Sequence, residues 1–85
     1  MATAELHENQ GGLGRHKCVV CAYEAGYTWG REHSALPAGP VESCSEGSRA
    51  PAEVIDGLEE SQKPPGRHRC AVCAWQLGFR AGRKA

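Results

Sequence analysis

Large apolar side chains are sparse along this chain and fall mainly in three short clusters, separated by polar stretches without a period. In the first, Cys21-Ala-Tyr-Glu-Ala-Gly-Tyr, the aromatics Tyr23 and Tyr27 stand at i and i+4 on one helical face. The third repeats that arrangement in Cys73-Ala-Trp-Gln-Leu-Gly-Phe, with Trp75 and Phe79 at the same spacing. Each stretch predicts a short amphipathic helix, with Gly26 and Gly78 placed to cap its C-terminus. Between them, Val54, Ile55 and Leu58 at i, i+1 and i+4 predict a short amphipathic helix over residues 51–62. Pro51 suits its first turn, Gly57 interrupts it, and Pro64-Pro65 lie beyond its end. Residues 32–50, rich in Pro, Gly and Ser, read as a flexible acidic loop, and residues 1–13 as a flexible N-terminal segment.

The pattern leaves 17 large apolar residues in an 85-residue chain, beside 12 alanines and 5 cysteines. So thin a core does not hold a fold by burial alone, and small domains in this position add a disulfide set or a metal. Met1 to Gln10 carries neither a basic n-region nor an apolar h-region, and no segment approaches the roughly 18 apolar residues of a membrane span. A soluble, cytoplasmic protein without a membrane partner is expected. Disulfides are rare in that compartment, and an odd count of five cysteines cannot pair completely within one chain. Metal ligation becomes the leading use of the thiols.

The cysteines lie in an internal repeat. GRHKCVVCAYEAGYTWGR (14–31) matches GRHRCAVCAWQLGFRAGR (66–83) at an offset of 52, with ten of eighteen positions identical, which points to duplication. In each copy C-x-x-C has the spacing of a metal knuckle, where a tight turn brings two thiolates onto one ion and backbone N–H groups stabilise their charge. Cys18, Cys21, Cys70 and Cys73 together form C-x2-C-x48-C-x2-C, a candidate all-thiolate shell for one structural Zn2+ per chain. The expected architecture is one small metal-stabilised domain, 14–85. It has two pseudo-symmetric C-x-x-C knuckles, the first repeat over 14–31 and the second over 63–85, with short helices and few or no long strands. Tyr23, Tyr27, Trp29, Trp75, Leu77 and Phe79 are expected to share the core around the metal, Trp29 being the first candidate to stand outside it. His16 and His68, two residues before Cys18 and Cys70, are possible extra ligands or partners beyond the ligand shell. Two separate three-ligand sites would need a further ligand, for which His33 and Cys44 are the candidates. Cys44 lies among acids that disfavour its thiolate, and reads as a free loop thiol.

The knuckles resemble those of zinc ribbons and of the zinc-supported HNH-type nucleases, although the His-His and Asn/His pattern of the nucleases is absent. His16–Tyr23 (HKCVVCAY) also resembles the first knuckle of rubredoxins, which would imply iron and electron transfer. Ala22 and Ala74 stand where rubredoxins have Gly, and no Pro lies between Cys70 and Cys73. Covalent haem is excluded because those same alanines occupy the histidine position of C-x-x-C-H, and no βαβ pattern supports a thioredoxin-like pair. No catalytic motif occurs, so neither an enzyme nor a small-molecule substrate is expected.

Charge adds a polarity that the net value of zero hides. Residues 32–62 carry −6 and residues 63–85 carry +6, while 1–13 and 14–31 carry −2 and +2. Both cysteine segments are basic, and Arg15, Lys17, Arg67, Arg69, Arg80, Arg83 and Lys84 are candidate phosphate contacts. The expected function is a small zinc-binding module that binds nucleic acid through these residues. A protein-interaction or assembly module acting through residues 51–62 is the alternative, and a rubredoxin-like iron carrier the second. The cations have a competing use, offsetting the negative charge of a thiolate-bound metal.

Overall fold

The computed structural model describes residues 17–44, 47–58 and 70–85. Helix α1 spans Val19–Glu32, strands β1 and β2 span Val41–Ser43 and Arg49–Pro51, helix α2 spans Ala52–Asp56 and helix α3 spans Ala71–Lys84. The segment 1–13, the remaining residues 14–16 and 63–69 of the two repeats, and positions 59–62 of the helix expected over 51–62 lie outside the described residues.

Both repeat helices run for 14 residues, straight through Gly26 and Gly78. The C-cap assignment of these glycines is therefore corrected: they are contact positions. A Cβ on Gly26 would overlap the Trp75 carbonyl oxygen and lie 2.9 Å from the Phe79 nitrogen; one on Gly78 would overlap the Tyr23 carbonyl. Gly30 meets the Phe79 carbonyl and Gly82 the Tyr27 carbonyl in the same way. Shifting by 52 residues turns each contact into its counterpart, so the helix pair exchanges its two members reciprocally. Partner positions rise together along both helices, which makes α1 and α3 parallel and sets their N-termini at one end. With Ala22 and Ala74, the buried stripes are Ala-x-x-x-Gly-x-x-x-Gly on each helix. Backbone meets backbone there because no side chain intervenes. Each glycine costs about 1 kcal/mol of helix propensity relative to Ala, and the close approach offsets that cost.

The two helices differ in what covers them. On α3, Val72, Trp75 and Phe79 are buried in one core with Ala50 of β2 and Ile55 of α2, and the Trp75 and Phe79 rings stack at 5.3 Å. The equivalent residues of α1 stay outside: Val20 is 53% exposed, and Tyr23 and Tyr27 are half-buried. The six-residue aromatic core is thus corrected to Trp75 and Phe79, with Trp29 and Leu77 packed at its edge. Only one connector exists for two repeats, and it caps the second.

That connector contains structure where a loop was expected. β1 and β2 pair antiparallel with Val41 opposite Pro51, Glu42 opposite Ala50 and Ser43 opposite Arg49. The turn is closed by Cys44 N–H to the Ser48 carbonyl (3.0 Å) and Gly47 N–H to the Cys44 carbonyl (2.9 Å), with Gly47 at φ 85°. That left-handed conformation favours glycine. Arg49 N–H donates to Gln76 Oε1 at 2.6 Å, fixing the hairpin to α3. α2 ends at Gly57; Ile55 is fully buried and Val54 and Leu58 pack against the core, so the apolar stripe is committed to the interior. No helix among the described residues is long and apolar enough to cross a membrane.

Candidate metal centre

A thiol begins each repeat helix. Cys18 and Cys70 take extended backbone angles at the N-cap, and their sulfurs accept the N–H of Cys21 (3.3 Å) and Cys73 (3.4 Å). This is the role Ser or Asp usually plays at a helix start, with the added consequence that a thiolate there faces the positive end of the helix dipole.

The tertiary structure adds Cys44 to the second pair. From the first residue of the hairpin turn, its Sγ lies 3.3 Å from Cys73 Sγ, and the sulfurs of Cys44, Cys70 and Cys73 all lie within 4.8 Å of one another. Ligands of a tetrahedral Zn2+ about 2.3 Å from the metal stand about 3.8 Å apart, so this triangle needs only small rotamer adjustments to close on one ion. Three thiols converging in this way can bind a metal. Cys44 is therefore a member of the cluster, and its reading as a free loop thiol is corrected. The acids near it in sequence did not decide its environment; the hairpin did, by folding its turn over the start of α3.

Burial sets the protonation of the metal-free cluster. Desolvation pushes the Cys70 thiol up to about 12; Cys73 and Cys44 add charge repulsion, and the Cys73 N–H offsets part of the rise. Cys73 is raised by burial as well, with the Ser48 side chain hydrogen-bonding it and lowering it in part. A metal that binds here displaces protons.

Cys18 and Cys21 stand in no group of three or more ligating side chains among the described residues. His16 and His68 lie outside those residues. His33, weighed as a further ligand, sits at the opposite end of α1, about 20 Å along the axis from Cys18. Its ring stacks on Trp29 at 3.6 Å and its Nδ1 donates to the Trp29 carbonyl, while Trp29 Nε1 donates to the Ala35 carbonyl.

The candidate phosphate contacts separate. Lys17 is 8% exposed, and its ammonium donates to the carbonyls of Asp56 (3.0 Å) and Leu58 (3.2 Å), pinning the start of α1 to the end of α2. Its reading as a phosphate contact is corrected, because the ammonium is used internally. Arg80, Arg83 and Lys84 are exposed and line one shallow depression at the end of α3, with the Arg83 guanidinium 5.7 Å from the Phe79 ring centre. Ten residues separate Cys73 from Arg83, about 15 Å along the axis and beyond the roughly 8 Å screening length of physiological salt. These cations therefore do not offset charge at the thiols. Arg15, Arg67 and Arg69 lie outside the described residues.

The sequence carries one faint signal for Cys44: Gly47, a turn residue three positions later. The comparisons bring nothing to set beside this geometry, for no protein-family model, curated protein or solved structure matches the chain.

Proposed function

We propose that this chain is a small module closed by a structural zinc ion on Cys44, Cys70 and Cys73, which presents the cationic end of α3 to nucleic-acid phosphates. The observation that carries the metal is the convergence of three thiols from two distant segments within 4.8 Å. Soft thiolates select zinc over magnesium or calcium. The fourth vertex falls to one of the repeat residues already named, Cys18, Cys21, His16 or His68. A site filled by four protein ligands is coordinatively closed, and closed sites support a fold rather than catalysis.

The nucleic-acid reading is supported by the position of Arg80, Arg83 and Lys84, too far from the thiols to serve them and exposed together. Their bland alternative is compensation of the helix C-terminus, where Arg83 and Lys84 occupy the last turn.

Native mass spectrometry of the full chain, with and without a strong chelator, tests the metal: one zinc per chain is expected, and stripping it should collapse amide chemical-shift dispersion. Cobalt substitution then counts thiolates by its charge-transfer absorption, and iron would declare itself by colour. A chain that keeps its dispersion with all metal removed would overturn the structural role. For the second half of the proposal, replacing Arg80 and Arg83 with Ala should flatten the slope of log K against log salt by about 1.5 with zinc content unchanged. No binding by the wild type to a single strand or duplex at about 50 mM salt would remove the nucleic-acid reading and leave the metal centre standing.

A further inference from the structure

Duplication has left α1 with an open face whose counterpart on α3 is covered. Val20, Tyr23 and Tyr27 are the counterparts, 52 residues earlier, of Val72, Trp75 and Phe79. The α3 set is 2%, 1% and 7% exposed in the core with Ala50 and Ile55, whereas Val20 is 53% exposed and the two tyrosines, stacked at 6.4 Å, line an open depression with Glu24 and Thr28. We propose that this face of α1 is the contact surface of a homodimer in which two α1 helices pack antiparallel about a two-fold axis.

Three observations favour a second copy over other occupants. First, the residue types suit an apolar protein surface that meets water when alone: hydroxylated Tyr stands where α3 has Trp and Phe, and tyrosine is amphipathic in this sense. Second, Glu24 lies within the depression itself, which places a carboxylate where a nucleic acid would bring phosphates. Third, the charges are self-complementary. In an antiparallel pair with Tyr27 facing Tyr27 of the second copy at the two-fold, four residues on along one helix are four residues back along the other, which sets the residue four after Tyr27 opposite Tyr23 and beside the residue one after Tyr23. Those residues are Arg31 and Glu24, both exposed. The two-fold makes the pair twice. The covered precedent on α3 shows how this pattern of residues behaves when partnered: it becomes core.

Two half-buried tyrosines and a valine per copy make a small interface, below about 1,200 Å2 in total, the size of weak and transient contacts. Association is expected in the micromolar range. Sedimentation equilibrium of the zinc-loaded full chain between about 5 and about 500 μM should show a concentration-dependent dimer. Tyr27→Arg should make it monomeric, with amide dispersion retained because only the outward side chain changes. Glu24→Arg and Arg31→Glu should each weaken the dimer about tenfold, and the double reversal should return it to within about threefold of wild type. That rescue is specific to the antiparallel register. A wild type monomeric throughout, a dimer indifferent to Tyr27→Arg, or a double reversal no tighter than the single variants would each overturn the proposal.

Discussion

Replacing Gly26 with Ala opposes two effects of known sign. In an isolated helix the change is favourable by about 1 kcal/mol, since Ala is the better helix former. Here the new methyl would overlap the Trp75 carbonyl oxygen and lie 2.9 Å from both Phe79 N and Trp75 C. All three are backbone atoms, so no rotamer change relieves the contact. The two helices must separate by more than about 1 Å to restore ordinary van der Waals spacing, and a gap of about 1 Å already forfeits up to half of the dispersion well along the stripe. Overpacking of this kind costs about 1–3 kcal/mol, occasionally more, and with both contacting groups on rigid helices the upper part of that range applies. After subtraction of the propensity gain the net loss is about 2 kcal/mol. At about 4–8 °C per kcal/mol for a domain of this size, Tm should fall by roughly 8–16 °C. Thermal unfolding with zinc in excess reads this directly. Gly57→Ala is the control: its Cβ would meet only the Glu53 and Val54 carbonyls at 3.4 and 3.7 Å, and Tm should move little. Because Gly78 faces the same interface, Gly26→Ala and Gly78→Ala together should cost less than their sum, the helices having already parted. A Gly26→Ala variant as stable as wild type, or more so, would refute the close approach of α1 and α3.

Cys44→Ser should abolish stoichiometric zinc binding in native mass spectra and lower Tm; unchanged metal affinity would remove the hairpin thiol from the site. Zinc affinity should rise with pH, because thiols raised by burial, Cys70 to about 12, hold their protons in the metal-free chain. Each thiol ionised on binding adds a tenfold gain per pH unit, so chelator competition between about pH 6 and 8 that shows no pH dependence contradicts the protonated cluster. The sign reverses for the metal-free fold: a folded-state value above the ordinary 9.0 means that the buried thiols support it below about pH 9 and that this support is lost on the way up to about 12, which alkaline titration of any folded metal-free chain would detect. Lys17→Met should cost about 1–3 kcal/mol by leaving the Asp56 and Leu58 carbonyls without their ammonium partner, while leaving the salt slope of nucleic-acid binding untouched; a flatter slope would return Lys17 to the phosphate contacts.

Much of this molecule was legible in the chain because it depends on local spacing. Cysteines at i and i+3 mark a close pair of thiols at the start of each repeat helix, and aromatics at i and i+4 define a face whether or not it is covered. The match of 14–31 to 66–83 was visible in the same way, as was the apolar stripe of Val54, Ile55 and Leu58, although the helix expected to run past Gly57 ends there. What the spacing could not reveal was which partner each face meets. Gly26 and Gly78 have the same local signature as helix caps and as contact positions, and only the parallel approach of α1 and α3 shows that they are the latter. Lys17 looks like any surface cation until Asp56 and Leu58 are folded beside it. The two aromatic faces are nearly identical as sequence, yet one is core and the other surface, because a single hairpin and α2 can cover only one of them. Cys44 enters the thiol cluster for the same reason: Cys73, whose sulfur it meets, is 29 residues away, and proximity across that distance is a property of the folded chain, set by the turn at Gly47 and the docking of β2 on α3.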